Sequence, residues 1–95
     1  MVDRDAYVEK MKAKLDEWNA EIDKMQAKAK AAEADAKVKY EEQLAEMRKQ
    51  RDEAQATMKE AQDASDAAWD DLRTGMESAW DSIASSFRSA MNRFR

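Results

Sequence analysis

Apolar residues recur every three or four positions over the first two thirds of the chain. From Val8 onward this spacing fits the a and d positions of a heptad repeat for more than four heptads. The positions between carry mostly charged or amide side chains, and sustained heptads of this kind are typical of coiled coils. No glycine or proline interrupts residues 5–61. We therefore predict one long coiled-coil helix over about residues 4–62.

The larger residues of this repeat form a stripe, here called the heptad stripe, which we predict to be the seam of an oligomer. Alanine fills many of the other seam positions, so a single chain built of extended helices would bury little. A homo-oligomer is therefore expected, although the spacing fixes neither the number nor the direction of the helices. The heptad stripe comprises Val8, Met11, Leu15, Trp18, Ile22, Met25, Tyr40, Leu44, Met47 and Met58.

The repeat changes phase in the middle of this segment. Between Ala32 and Leu44 the apolar residues are four positions apart three times in succession, at Ala32, Ala36, Tyr40 and Leu44. The heptad repeat then resumes, shifted by one residue. Such a slip locally unwinds a supercoil without breaking the helix. Residues 27–37 are strong helix formers, so we predict that the helix continues through them. Arg51 occupies an a position, where it either fixes the register or lays its stem beside the seam.

The last 28 residues repeat with a period of eleven. At about 100° per residue, the four apolar positions of this repeat fall within an arc of roughly 100°. This pattern predicts a second, amphipathic helix over about residues 66–93, within a repeat region that extends to residue 95. Its apolar side, here called the eleven-residue face, comprises Trp69, Leu72, Met76, Trp80, Ile83, Phe87, Met91 and Phe94.

A soft break separates the two patterns. Asp63 or Ser65 is suited to cap a new helix, with Asp66 in its first turn. The predicted fold is thus all-α, one coiled-coil unit over residues 1–95, arranged as a helical hairpin or as an unbroken rod. Gly75 lies inside the second helix and marks either a close helix approach or a mild bend.

Composition and charge exclude several classes of function. The net charge of −4 argues against a nucleic-acid partner. The chain has no histidine and no nucleophile or phosphate-loop motif, and Asp70 and Asp71 point about 100° apart on a helix. We therefore predict a protein that is not an enzyme, with no cofactor, no metal and no small-molecule substrate.

The end of the chain leaves two partners open for the eleven-residue face. After Asp81 there are no acids, while Arg88, Arg93 and Arg95 remain. These cations either complement the helix dipole or meet an anionic membrane surface. The chain has no cysteine, no signal-like segment and no apolar run of spanning length, which predicts a cytoplasmic protein, in the second case peripheral to the inner face of the membrane.

Two sequence patterns carry a family resemblance. The segment DEWNAEIDK (16–24) and the A-W-D repeats that begin at Ala68 and Ala79 resemble a family of small bacterial coiled-coil stress-response proteins. The eleven-residue period is more distantly similar to helices of late-embryogenesis-abundant proteins and apolipoproteins. The first resemblance implies a role in stress but no catalytic or binding residues, and the second implies protection or lipid binding.

The expected function is therefore self-association or interaction through a coiled coil, without catalysis. The alternative is a peripheral protein that binds membranes or lipid through its C-terminal amphipathic helix.

Overall fold

The computed structural model describes residues 4–93 and places nearly all of them in three helices. Helix α1 spans Arg4–Ala31, α2 spans Ala34–Asp63 and α3 spans Asp66–Asn92. No strand occurs within this described range, so the all-α prediction is confirmed.

The helices form an elongated three-helix bundle that measures 52 × 18 × 18 Å. Only two residues separate α1 from α2, and two separate α2 from α3. Linkers this short make consecutive helices antiparallel neighbours, so α1 and α3 run in the same direction. Helix α2 packs against both of the others.

The first turn corrects the prediction of one long helix over residues 4–62. Ala32 and Glu33 leave the helix, and Glu33 is extended, with φ −67° and ψ 160°. The turn lies where the heptads change phase and where the seam positions are alanines, which contribute little burial. Folding back there gives up few apolar contacts and buries the rest of the stripe against the same chain. An extended single helix would leave that stripe in water.

The second turn agrees with the predicted break. Ser65 is the N-cap of α3, and its hydroxyl accepts a hydrogen bond of 3.1 Å from the backbone N–H of Ala68. Asp66 is in the first turn, where a carboxylate complements the positive end of the helix dipole. Ser65 rather than Asp63 is therefore the cap of α3. The predicted helix over residues 66–93 matches Asp66–Asn92 within one residue.

A single apolar core runs along the bundle. Helices α1 and α3 supply large side chains, whereas α2 supplies Leu44 and Met47 just before its midpoint and the smaller Ala54 and Ala61 further along. Interaxial distance depends on the side chains at the contact. The alanines therefore let α2 lie close to both neighbours along the second half of its length.

Arg51 connects α2 to α1 at the edge of this core. Its Nη1 donates to Asn19 Oδ1 at 3.3 Å, and its Nη2 donates to Asp52 Oδ1 at 2.9 Å. The stem is mostly covered while the guanidinium keeps polar partners, as expected of a long cationic side chain beside an apolar stripe.

Gly75 is exposed on α3, and a Cβ at this position would meet nothing within 4 Å. The close helix approach considered as one reason for this glycine is thus absent. Replacement by alanine removes backbone entropy from the unfolded chain without creating a clash.

We expect Gly75→Ala to raise the free energy of unfolding by about 1 kcal/mol, measured by urea denaturation. Ala79→Gly, at an exposed position of the same helix, is the matched control and should lower it by a similar amount. A loss of stability in Gly75→Ala would contradict the open environment of residue 75.

Candidate interaction surface

A groove of about 700 Å³ separates α1 from α3 on the side of the bundle opposite α2. The backbones of these two helices hardly approach each other, whereas each packs closely on α2. The groove is therefore the side on which the described part of the bundle is least closed.

Stacked aromatic rings form the floor of the groove. The Trp18 ring lies 5.3 Å from that of Trp80, with an angle of 10° between the planes, and 4.6 Å from that of Phe87, at 13°. Near the start of both helices, the Tyr7 and Trp69 rings are 5.2 Å apart and tilted by 50°. Such pairs add about 0.5–1.5 kcal/mol each beyond the area they bury. Large rings at this interface hold α1 and α3 apart and fix their register.

The rims of the groove carry charges of both signs. Along α1, the basic residues Lys10 and Lys14 precede the acidic Glu17 and Glu21. Along α3, the acidic Glu77 and Asp81 precede the basic Arg88. The ring contacts join residues 62 or 69 positions apart, and they set the register of α3 against α1. At one end of the groove Lys10 of α1 lines the same cavity as Glu77 and Asp81 of α3. Lys14 Nζ lies 3.3 Å from Glu17 Oε2 on its own helix.

Tyr7 lines a neighbouring cavity together with Glu77 and Trp80, and its buried hydroxyl has no hydrogen-bond partner. Burial, and then the negative charges of Glu77 and Asp81, raise the pKa of Tyr7 to about 12. The folded protein therefore keeps this phenol neutral at pH values where an unfolded tyrosine ionises. Between pH 10 and pH 12 the unfolded chain releases a proton that the folded chain retains, so Tyr7 lowers stability as the pH rises through this range.

Tyr7→Phe removes the unpaired hydroxyl and its ionisation while keeping the ring. We expect equal or higher stability at pH 7, because a buried hydroxyl without a partner is unfavourable. The advantage of the variant over the native chain should grow from pH 10 to pH 12. Urea denaturation of both proteins between pH 10 and pH 12 measures this difference. If the free energies of unfolding change with pH in parallel, the assigned environment of Tyr7 is contradicted.

The start of α1 is tied to the turn between α2 and α3. Arg4 Nη1 donates a hydrogen bond to the carbonyl oxygen of Ala64 and lies 3.6 Å from Asp66 Oδ1. The sequence carried no signal for this contact, because the residues are about 60 positions apart and meet only through the fold.

The two predicted contact surfaces meet inside the bundle. Most of the heptad stripe and of the eleven-residue face is buried there. Tyr40, Met58, Leu72 and Met91 are partly buried and pack against the same core. Phe94 lies outside the described residues. One chain thus supplies an apolar partner for both surfaces, and their contact with a second molecule stays a prediction.

Two further kinds of site are absent from residues 4–93. These residues contain no group of three or more acidic, histidine or cysteine side chains placed to hold a metal ion. None of the three helices has the length and apolar character required to cross a bilayer.

Comparison with known proteins gives no relative: the chain matches no protein-family model, no curated protein and no solved structure. The resemblance to small stress-response proteins therefore stays a prediction.

Proposed function

We propose that this protein is a non-enzymatic helical interaction module that associates with a second copy of itself through its α1–α3 side. The observation that carries the proposal is the groove between these helices, with its aromatic floor and its rims of mixed charge. Residues of the heptad stripe and of the eleven-residue face both contribute to that floor.

The size of this side suits a specific protein contact. The bundle is 52 Å long and 18 Å wide, and specific complexes bury about 800 Å² on each partner. A second bundle placed along the whole α1–α3 side would approach this area. The two copies would then cover the aromatic floor from outside.

The order of charges favours a second copy of the same chain as the partner. A two-fold contact joins the same patch on both molecules, so the patch must be complementary to itself. With the copies antiparallel, Lys14 of one lies near Glu17 of the other, and Arg88 lies near Glu77 or Asp81. With the copies parallel, Lys14 instead faces Asp81. Both arrangements bring opposite charges together.

Binding to a lipid surface is the second candidate. It would use the eleven-residue face, which is apolar enough for the bilayer interface. In the bundle this face packs against the other two helices, so lipid binding requires α3 to leave its neighbours. We place either activity in the cytoplasm, in the second case at the membrane surface, and a stress-related role is supported by the sequence resemblance alone.

Light scattering over a range of protein concentrations, with and without anionic vesicles, tests the proposal. We expect a dimer at high concentration that weakens as salt rises, because the rim charges are exposed. Lys14→Glu should weaken it on the order of tenfold by placing like charges together. Lys49→Glu makes the same charge change on an exposed position of α2 outside the groove and should have little effect.

Two results would contradict self-association through this side. One is a particle of single-chain mass at every concentration. The other is an equal effect of Lys14→Glu and Lys49→Glu. A protein that stays monomeric in buffer but co-sediments with the vesicles would replace the leading proposal with lipid binding.

A further inference from the structure

The two turns of the bundle differ in how firmly the sequence specifies them. At the second turn Ser65 caps α3 through its hydroxyl, and Arg4 contacts the neighbouring carbonyl of Ala64. At the first turn Glu33 is the N-cap of α2, but its side chain makes no capping hydrogen bond. Glutamate is not among the residues that helix N-caps prefer.

The residues around the first turn also favour a continuous helix. Residues 27–37 read AKAKAAEADAK and contain no glycine, proline, serine or asparagine. Alanine, lysine and glutamate are strong helix formers. Straightening the chain at Ala32 and Glu33 would restore the helical hydrogen bonds that the turn interrupts. Residues 4–63 would then form one helix of about 90 Å.

The start of α2 makes few core contacts that would oppose straightening of the first turn. Residues 34–39 are all exposed, including Val38, and Tyr40 is the first residue of α2 that packs against the core. Moving the backbone at the turn therefore disturbs few apolar contacts other than those of α1 itself.

We propose that α1 of one copy swings out about Ala32–Glu33 and packs on α2 and α3 of a second copy, whose α1 does the same in return. This exchange rests on the proposed self-association, but the copies are joined by α1 itself rather than by docking of closed bundles across the groove. Every contact of α1 in the closed bundle is remade between chains, including the stacking of Trp18 on Trp80 and Phe87. The turn at Ala64 and Ser65 is unchanged.

Protein concentration sets the balance between the two forms. In the closed bundle α1 is held next to its partners by a two-residue linker, which gives it a high effective concentration. The exchanged dimer gains helical structure at both first turns but must bring two chains together. It therefore accumulates as the protein concentration rises.

Ala34→Pro separates the closed form from the exchanged one. Position 34 is the first residue of α2, where proline is well accepted, and Glu33 before it already has the extended ψ of 160° that a following proline favours. In the straight helix the same proline would lie in the interior, where it breaks a hydrogen bond and clashes. We expect the variant to remain a folded monomer and to dimerise at least about a hundredfold more weakly.

Asp66→Pro is the matched control. It places proline at the first position of α3, after Ser65 with ψ 166°. It blocks straightening of the second turn only, so its dimerisation should resemble that of the native chain. Circular dichroism of both variants verifies that they are folded.

Chemical cross-linking between introduced cysteines tests the exchange directly. The chain has no cysteine of its own, so a cross-link can form only at the introduced positions. Asn19 and Arg51 contact each other between α1 and α2. Asn19→Cys and Arg51→Cys chains are mixed in denaturant, refolded together at high concentration and treated with a short bismaleimide. If α1 is exchanged, the Asn19→Cys chain is cross-linked to the Arg51→Cys chain. This cross-link should disappear when both chains also carry Ala34→Pro.

The outcomes distinguish this inference from the function on which it rests. A native protein that stays monomeric at all concentrations overturns both proposals. A native protein that dimerises, with no mixed cross-link and no effect of Ala34→Pro, overturns the exchange alone and leaves docking of closed bundles in place.

Discussion

The stacking of Trp18 on Trp80 and Phe87 is the interaction on which the geometry of the bundle depends. These rings lie between two helices that run in the same direction and are not adjacent in the chain. They fix the register of α3 against α1, and their size keeps the two backbones apart. On the other side, small residues such as Ala54 and Ala61 of α2 are fully buried, so α2 closes the bundle there. The groove follows from this difference in side-chain size.

The same stacking explains how one chain satisfies two amphipathic patterns. Trp18 belongs to the heptad stripe, while Trp80 and Phe87 belong to the eleven-residue face. A heptad repeat and an eleven-residue repeat favour supercoils of different hand. Helices of about four heptads or fewer need little supercoiling, so the two patterns fit together in a bundle 52 Å long. Association with another molecule therefore uses surface that remains after the core has formed, or requires the bundle to open.

The sequence predicts the parts of this fold that depend on local chemistry. Ser65 and Asp66 mark the start of α3 because a hydroxyl cap and an acidic first turn act within a few residues. The turn at Ala32 and Glu33 could not be predicted in this way, since its residues are good helix formers and no side chain caps it. Tertiary burial decides that turn. The only sequence feature that coincides with this turn is the phase slip between Ala32 and Leu44. A phase slip is equally compatible with a continuous coiled coil.

The candidate surface was predictable only in part. The period of eleven identifies the apolar side of α3, and heptads identify that of α1, including the aromatic residues. Their meeting across a groove depends on the register of α1 against α3, which no local pattern specifies. The contact of Arg4 with Ala64 has the same origin. Such contacts arise between residues far apart in sequence, and they follow only once the turn at Ala32 and Glu33 is known.

The most direct test of the account is whether a single chain is folded by itself. Far-ultraviolet circular dichroism and tryptophan emission can be followed during dilution, with the mass measured by analytical ultracentrifugation in the same buffer. We expect helical content and a buried tryptophan spectrum to persist at concentrations where the particle has the mass of one chain. Loss of helix and a red shift of the emission on dissociation to that mass would contradict the intramolecular bundle.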